Sequence, residues 1–190
     1  MAPDPRVIEM LSYYRDAELH GATLLLRLIK LIDNDADAQV KLSLHLAEET
    51  HHAWLWTNRI KELGGEPMKI LDGYQKRIGL RTVPKSLLEL LALTVVVEER
   101  SFARYQEHAG RAGLDEATKQ VLAEVTKDEK WHIAWIRGKL FDVAADEDGG
   151  PEKAEAALEK YRQIDEQVYA DLRAKEIAAF GEAPLSTAAR

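Results

Sequence analysis

Glu49 and His52 stand three residues apart in "AEETHHAW", and Glu129 and His132 repeat that spacing in "KDEKWHIAW". A lone glutamate precedes each pair at one separation, since 49 − 18 and 129 − 98 both equal 31, which singles out Glu18 and Glu98. On a helix, residues three apart project from one face a turn apart. Each pair therefore offers a carboxylate and an imidazole to one metal ion, and a glutamate from a neighbouring helix completes a half-site. Two half-sites supply four carboxylates and two imidazoles, whose negative charges balance two divalent cations. Oxygen-rich sets with one nitrogen per ion suit iron or manganese, singly or mixed, whereas a structural zinc cage favours thiolates and four-coordination. The cations also compensate the burial of carboxylates that an apolar core does not tolerate alone.

Side chains so spaced need long helices to hold them, and the hydrophobic pattern supplies these. Apolar residues recur at three and four residue spacing over 4–32, 35–64, 85–112, 115–144 and 151–180. The punctuation agrees: "DNDAD" offers N-caps, Gly64 and Gly65 end the second helix, Gly110 and Gly113 the third, Asp115 caps the fourth, and Pro151 opens the fifth. No stretch alternates as a strand does. Short loops flank one long connection, residues 64–86, so the fold expected is all-α: a four-helix bundle of two antiparallel hairpins with a long crossover, plus a C-terminal fifth helix. Residues 1–144 form the bundle. Residues 151–180 carry Leu158, Tyr161, Ile164, Val168, Leu172 and Ile177 on one side and are expected to pack on the bundle or on a partner subunit.

The two hairpins read as copies. Adding 80 carries Leu11 to Leu91, Leu42 to Leu122, Glu48 to Asp128 and Ile60 to Leu140, in step with the acidic and imidazole residues. Helical phase places Glu49 on a stripe with Leu42, Leu46, Ala53, Trp56 and Ile60, and Glu129 with Leu122, Val125, Ile133, Ile136 and Leu140. An offset of 81 pairs Glu18 with Glu99, Glu48 with Glu129 and His51 with His132 equally well. Phase argues against it, because alignment on Glu48 brings Lys41, Arg59 and Glu62 inward. The choice of Glu98 over Glu99 then rests on the symmetry alone and stays open.

Composition narrows the classes. The chain has 190 residues, 46% hydrophobic and 31% charged, enough for one ordinary domain with a real core. The absence of cysteine excludes disulfides, thiolate zinc, rubredoxin-type iron and cysteine nucleophiles. A net charge of −7, with basic residues scattered, makes nucleic acid an unexpected partner. "MAPDPRVIEM" is not a signal peptide and no apolar run suits a membrane span, so a cytoplasmic location is expected.

"AELHGA", "AEETHHAW", "VVVEERSF" and "KDEKWHIAW" together resemble the ligand set of the ferritin-like di-iron superfamily over residues 4–144, in size and spacing most like the rubrerythrin-like proteins. The resemblance implies metal-bridging Glu49 and Glu129, terminal Glu18 and Glu98, and His52 and His132 on one iron each. It also implies that Asp128 contacts His52 and that Glu48 contacts His132, as backing partners for the imidazoles. The rubredoxin domain of the type member is missing, and its extra third-helix glutamate has no counterpart at Val95 or Ser101. Both departures count against rubrerythrin-type peroxidase activity, although oxygenase, hydroxylase and peroxidase-like oxidoreductases all stay open; the long fifth helix counts against a ferritin-type cage, and a homodimer is expected.

Several further residues are read as ordinary. His20, His45 and His51 are taken as polar helix positions, Trp54, Trp56, Trp131 and Trp135 as core or interface aromatics, and Tyr14 and Tyr105 as core. The function expected is a di-iron oxidoreductase that acts on O2 or peroxide, with an external electron donor and possible small-molecule substrate. A ferroxidase or iron-handling protein is the alternative, and a non-catalytic metal-stabilised bundle the third reading.

Overall fold

The computed structural model describes residues 4–110 and 114–180, with side chains described to residue 174. Gly113 and the side chain of Ile177 lie outside the described residues. Six helices occur among those described: α1 (Pro5–Leu31), α2 (Ala36–Glu62), α3 (Tyr74–Arg81), α4 (Leu87–Ala109), α5 (Glu116–Ala145) and α6 (Gly150–Phe180). Asp4, Asp35, Ser86 and Asp115 cap α1, α2, α4 and α5, each accepting a backbone N–H of the first turn. These side chains satisfy donors that have no partner within the helix. At the other end of α2, Gly64 takes φ of 81°, a left-handed geometry that costs glycine nothing, and the chain turns away.

Helices α1 and α2 form one hairpin and α4 and α5 the other, with α2 against α5 and α1 against α4. The crossover is not wholly irregular, because α3 interrupts it. Only Tyr74 and Ile78 of that helix are buried, four residues apart. Two anchors in eight residues are too few for a periodic signal to stand out in the sequence. No helix among the described residues is long and apolar enough to cross a membrane.

Two apolar clusters divide the bundle along its length. One includes Leu11, Tyr14, Trp56, Ile60, Tyr105, Leu122 and Val125. The other includes Leu25, Leu28, Leu42, Leu91, Val95, Ile136 and Leu140. On every one of the four bundle helices the glutamates of interest fall between a residue of the first cluster and a residue of the second. The polar layer is thus closed above and below by apolar packing.

Helix α6 joins the second cluster through Leu158, Tyr161, Val168 and Leu172 and lies along α4. Asp165 fastens it. That carboxylate, 5% exposed, accepts from Tyr74 Oη at 2.6 Å and from Arg100 Nε and Nη2 at 3.0 and 2.6 Å, tying α3, α4 and α6 together. Burial and the charge of Asp165 hold the Tyr74 phenol well above its usual range. Asp165→Ala leaves a guanidinium and a phenol without their acceptor and is expected to cost about 2 kcal/mol, given the partial exposure of Arg100. A melting temperature lower by roughly 4–8 °C checks this.

Candidate metal centre

The six side chains singled out from the sequence converge in the layer between the two apolar clusters. Glu18, Glu49, His52, Glu98, Glu129 and His132 are each at most 3% exposed. Their donor atoms fall into two overlapping groups, Glu18, Glu49, His52 and Glu129 on one side and Glu49, Glu98, His132 and His45 on the other. Within each group one atom from every residue lies within 4.8 Å of all the others. Glu49 belongs to both. His52 Nδ1 stands 3.6 Å from Glu18 Oε2, and His132 Nδ1 stands 3.6 Å from Glu49 Oε1 and 3.7 Å from Glu129 Oε2.

The inner atoms of this cluster lack hydrogen-bond partners. Glu49 Oε1, Glu129 Oε2, His52 Nδ1 and His132 Nδ1 are all buried and unsatisfied. Buried polar atoms are normally paired, so several orphans grouped this closely suit a cation. The outer imidazole nitrogens are engaged. His52 Nε2 lies 3.2 Å from Asp128 Oδ2, and His132 Nε2 lies 2.9 Å from Glu48 Oε2. A neutral ring that keeps its proton on Nε2, against these acids, presents its Nδ1 lone pair to the inner cluster, as a metal ligand there would have to.

Glu99 is elsewhere. It accepts from Arg162 Nη2 at 2.9 Å on the side facing α6, so only Glu98 reaches the site from α4. Lys41 and Glu62 are exposed, as the helical phase requires, but Arg59 is not. Arg59 is buried, because its guanidinium donates to Asp115 and Glu62 and its Nε to Thr118, which satisfies the charge at the end of the bundle.

The largest departure is His45. It is not a polar surface position: it is fully buried, with Nε2 at 3.5 Å from Glu98 Oε1 and 3.6 Å from Glu49 Oε1. The signal was present, since His45 lies three residues after Leu42 and four before Glu49, in phase with the core stripe on which Leu46 proves only partly buried. His20 and His51 are exposed, the latter 3.1 Å from Glu124. Trp56 is fully buried and Trp54 is 55% exposed, stacked on His51. Tyr105 is more than core filling, because its Oη donates to Glu18 Oε1, and Trp56 Nε1 donates to the same oxygen at 3.4 Å. Gly21 on α1 makes room for Glu49: a methyl group there would lie 2.1 Å from Glu49 Oε2.

Without cations the crowded carboxyl and imidazole groups shift one another's proton affinities. Burial, with the charges of Glu98 and Glu18, pushes the Glu49 carboxyl up to about 8. Burial, with Glu98 and Glu49, drives Glu129 well above its usual range. Burial opposes charging of His45 and His52, but neighbouring carboxylates outweigh it and raise both to about 9. His132 is pushed down to about 2 by burial and by the charge of His45. Burial opposes ionisation of Glu98, yet the His45 imidazolium prevails and lowers it to about 2. Cations that enter must displace these protons.

The described residues form an all-helical, ferritin-like bundle with buried glutamate and histidine groups suited to iron. The chain is similar to a solved dodecameric thioferritin, the bacterioferritin-related protein from Bacteroides fragilis, at 25% identity and a TM-score of 0.61, over 75% of this chain and 89% of that one. No protein-family model and no curated protein matches the sequence.

Proposed function

We propose that this chain is a di-iron oxidoreductase in which Glu18 and His52 hold one ion, Glu98 and His132 hold the other, and Glu49 and Glu129 lie between them. The observation that carries this reading is the set of orphaned carboxylate and imidazole atoms, shared through Glu49, in a layer closed by apolar packing on both sides. Manganese or a mixed pair fits the same donors. A ferrous pair, when bound, supplies two electrons together to O2 or peroxide.

The chain's own residues do the rest. Asp128 and Glu48 fix the two imidazoles in the inward-facing tautomer. Tyr105 places a proton against Glu18 Oε1, and burial holds that phenol well above its usual range, so it acts as a donor and not as an anion. The apolar clusters keep bulk water from the reacting layer. Electrons for repeated turnover come from an external donor, and any organic substrate is small.

Anaerobic loading with ferrous iron is expected to reach two ions per chain, and exposure to O2 or hydrogen peroxide to give ferric absorption within seconds to minutes. His52→Ala and His132→Ala each empty one half of the pair and are expected to abolish that rapid phase. A loaded parent chain that stays ferrous in air for hours rules the assignment out.

The likeness to a thioferritin favours a second reading, ferroxidase activity coupled to iron handling. The two diverge in what happens to iron. An oxidoreductase retains two ions per chain through many turnovers, as a homodimer in the simplest case. An iron-handling protein takes up more iron than its centre holds and does so in a larger assembly.

A further inference from the structure

We infer that His45 is a third imidazole ligand, confined to the half-site of Glu98 and His132, and that it makes the two halves of the centre chemically unequal. The inference rests on the dinuclear reading above and extends its ligand set. Ligand atoms about 2.1 Å from one cation stand roughly 3 to 3.5 Å apart. His45 Nε2 reaches that spacing from Glu98 Oε1, at 3.5 Å, and lies just beyond it from Glu49 Oε1, at 3.6 Å, and it belongs to one donor group with His132.

Neither ring nitrogen of His45 has a hydrogen-bond partner among the described residues, although the side chain is fully buried. The ring is positioned by packing. It stacks on the His132 imidazole with centroids 3.6 Å apart and planes 25° apart, and lies 5.7 Å from Trp131 and 6.0 Å from Trp135. Its Nε2 faces two carboxylates with no hydrogen bond to either, so a proton shared with Glu49 and Glu98 or a metal cation must compensate its burial.

The repeat makes the inequality specific. Adding 80 to 45 reaches Val125, a fully buried aliphatic residue of the opposite cluster, so the Glu18 half has no such nitrogen. One ion is then offered two imidazoles and the other one. Nitrogen donors favour cobalt, zinc and iron over manganese, so the His45 half fills first and is the more selective. Among the described residues no carboxylate backs His45 Nδ1 as Asp128 and Glu48 back the other two rings, which makes it the weaker donor of the three.

Cobalt(II) serves as the probe. Anaerobic calorimetric titration of the parent chain is expected to show two binding steps, the first at least about tenfold tighter. His45→Ala and His45→Gln are expected to weaken the first step by about 10- to 100-fold and leave the second within about threefold, while His132→Ala weakens the first step further. Circular dichroism of each metal-free variant establishes that it folds. X-ray absorption of the parent chain carrying one Co2+ gives a readout that needs no variant: two imidazole nitrogens around that ion support the inference, and one overturns it. First-step affinity that is unchanged or tighter in a folded His45→Ala chain also overturns it, since His45 then serves only as an ion-pair partner of Glu49 and Glu98. Parent chain that binds two ions with these results removes His45 alone. Failure to bind two ions at all removes the dinuclear reading with it.

Discussion

Glu49→Ala is expected to reduce the metal content of the chain from two ions to one or none, a larger loss than any other single glutamate produces. Its carboxylate contributes to both donor groups, whereas Glu18 and Glu98 each belong to one. Removing it takes charge from both cations at once and leaves them facing each other with less compensation. Glu129 is second, because it lies in the Glu18 group and also 3.7 Å from His132 Nδ1. Glu18→Ala is expected to spare the ion held by Glu98 and His132. Elemental analysis after loading at equal protein concentration decides the order. Two ions per chain in Glu49→Ala, or equal losses from Glu49→Ala and Glu18→Ala, contradict it.

Raising the pH from about 6.5 to 9 is expected to destabilise the metal-free chain strongly and the metal-loaded chain little. Unfolded, Glu49 loses its proton near 4.5 and the histidines near 6.5; folded, Glu49 retains it to about 8 and His45 and His52 to about 9. The folded chain therefore binds more protons than the unfolded one throughout this window, and stability falls as pH rises. Glu98 and His132 act at lower pH. The contribution of Glu98 is complete above 4.5 and is lost towards 2, and the cost of His132 appears only below 6.5. Even one extra proton retained across two pH units amounts to about 3 kcal/mol, on the order of 10 °C in a chain of this size. With cations in place of the protons the difference between the folded and unfolded chains largely disappears in this range. Melting curves with and without metal at each pH check the sign, and a metal-free midpoint that is flat or rises with pH contradicts it.

The bundle was legible because its helices are long and each carries an apolar stripe, caps and a turn signal. The convergence of the glutamates and histidines was legible because a duplicated hairpin repeats charge in phase with core. His45 was not, although its phase was right. It has no partner at Val125, so a reading guided by the repeat passes over it. Arg59 shows the limit of phase from the other side: an arginine on an inward position can be satisfied locally by a cap such as Asp115. Helix α3 and the Asp165 junction depend on contacts between segments far apart in the chain, which no local period encodes.

Gly21 bears on how sequences of this kind can be compared. A glycine in the middle of a 27-residue helix forfeits about 1 kcal/mol relative to alanine, and here it accommodates one carboxylate oxygen of Glu49. A chain with any larger residue at the equivalent position must shift the end of the glutamate that corresponds to Glu49. Position 21 is therefore a marker, readable without a structure, of whether a chain with these glutamates and histidines leaves room for the carboxylate of Glu49 where it lies here.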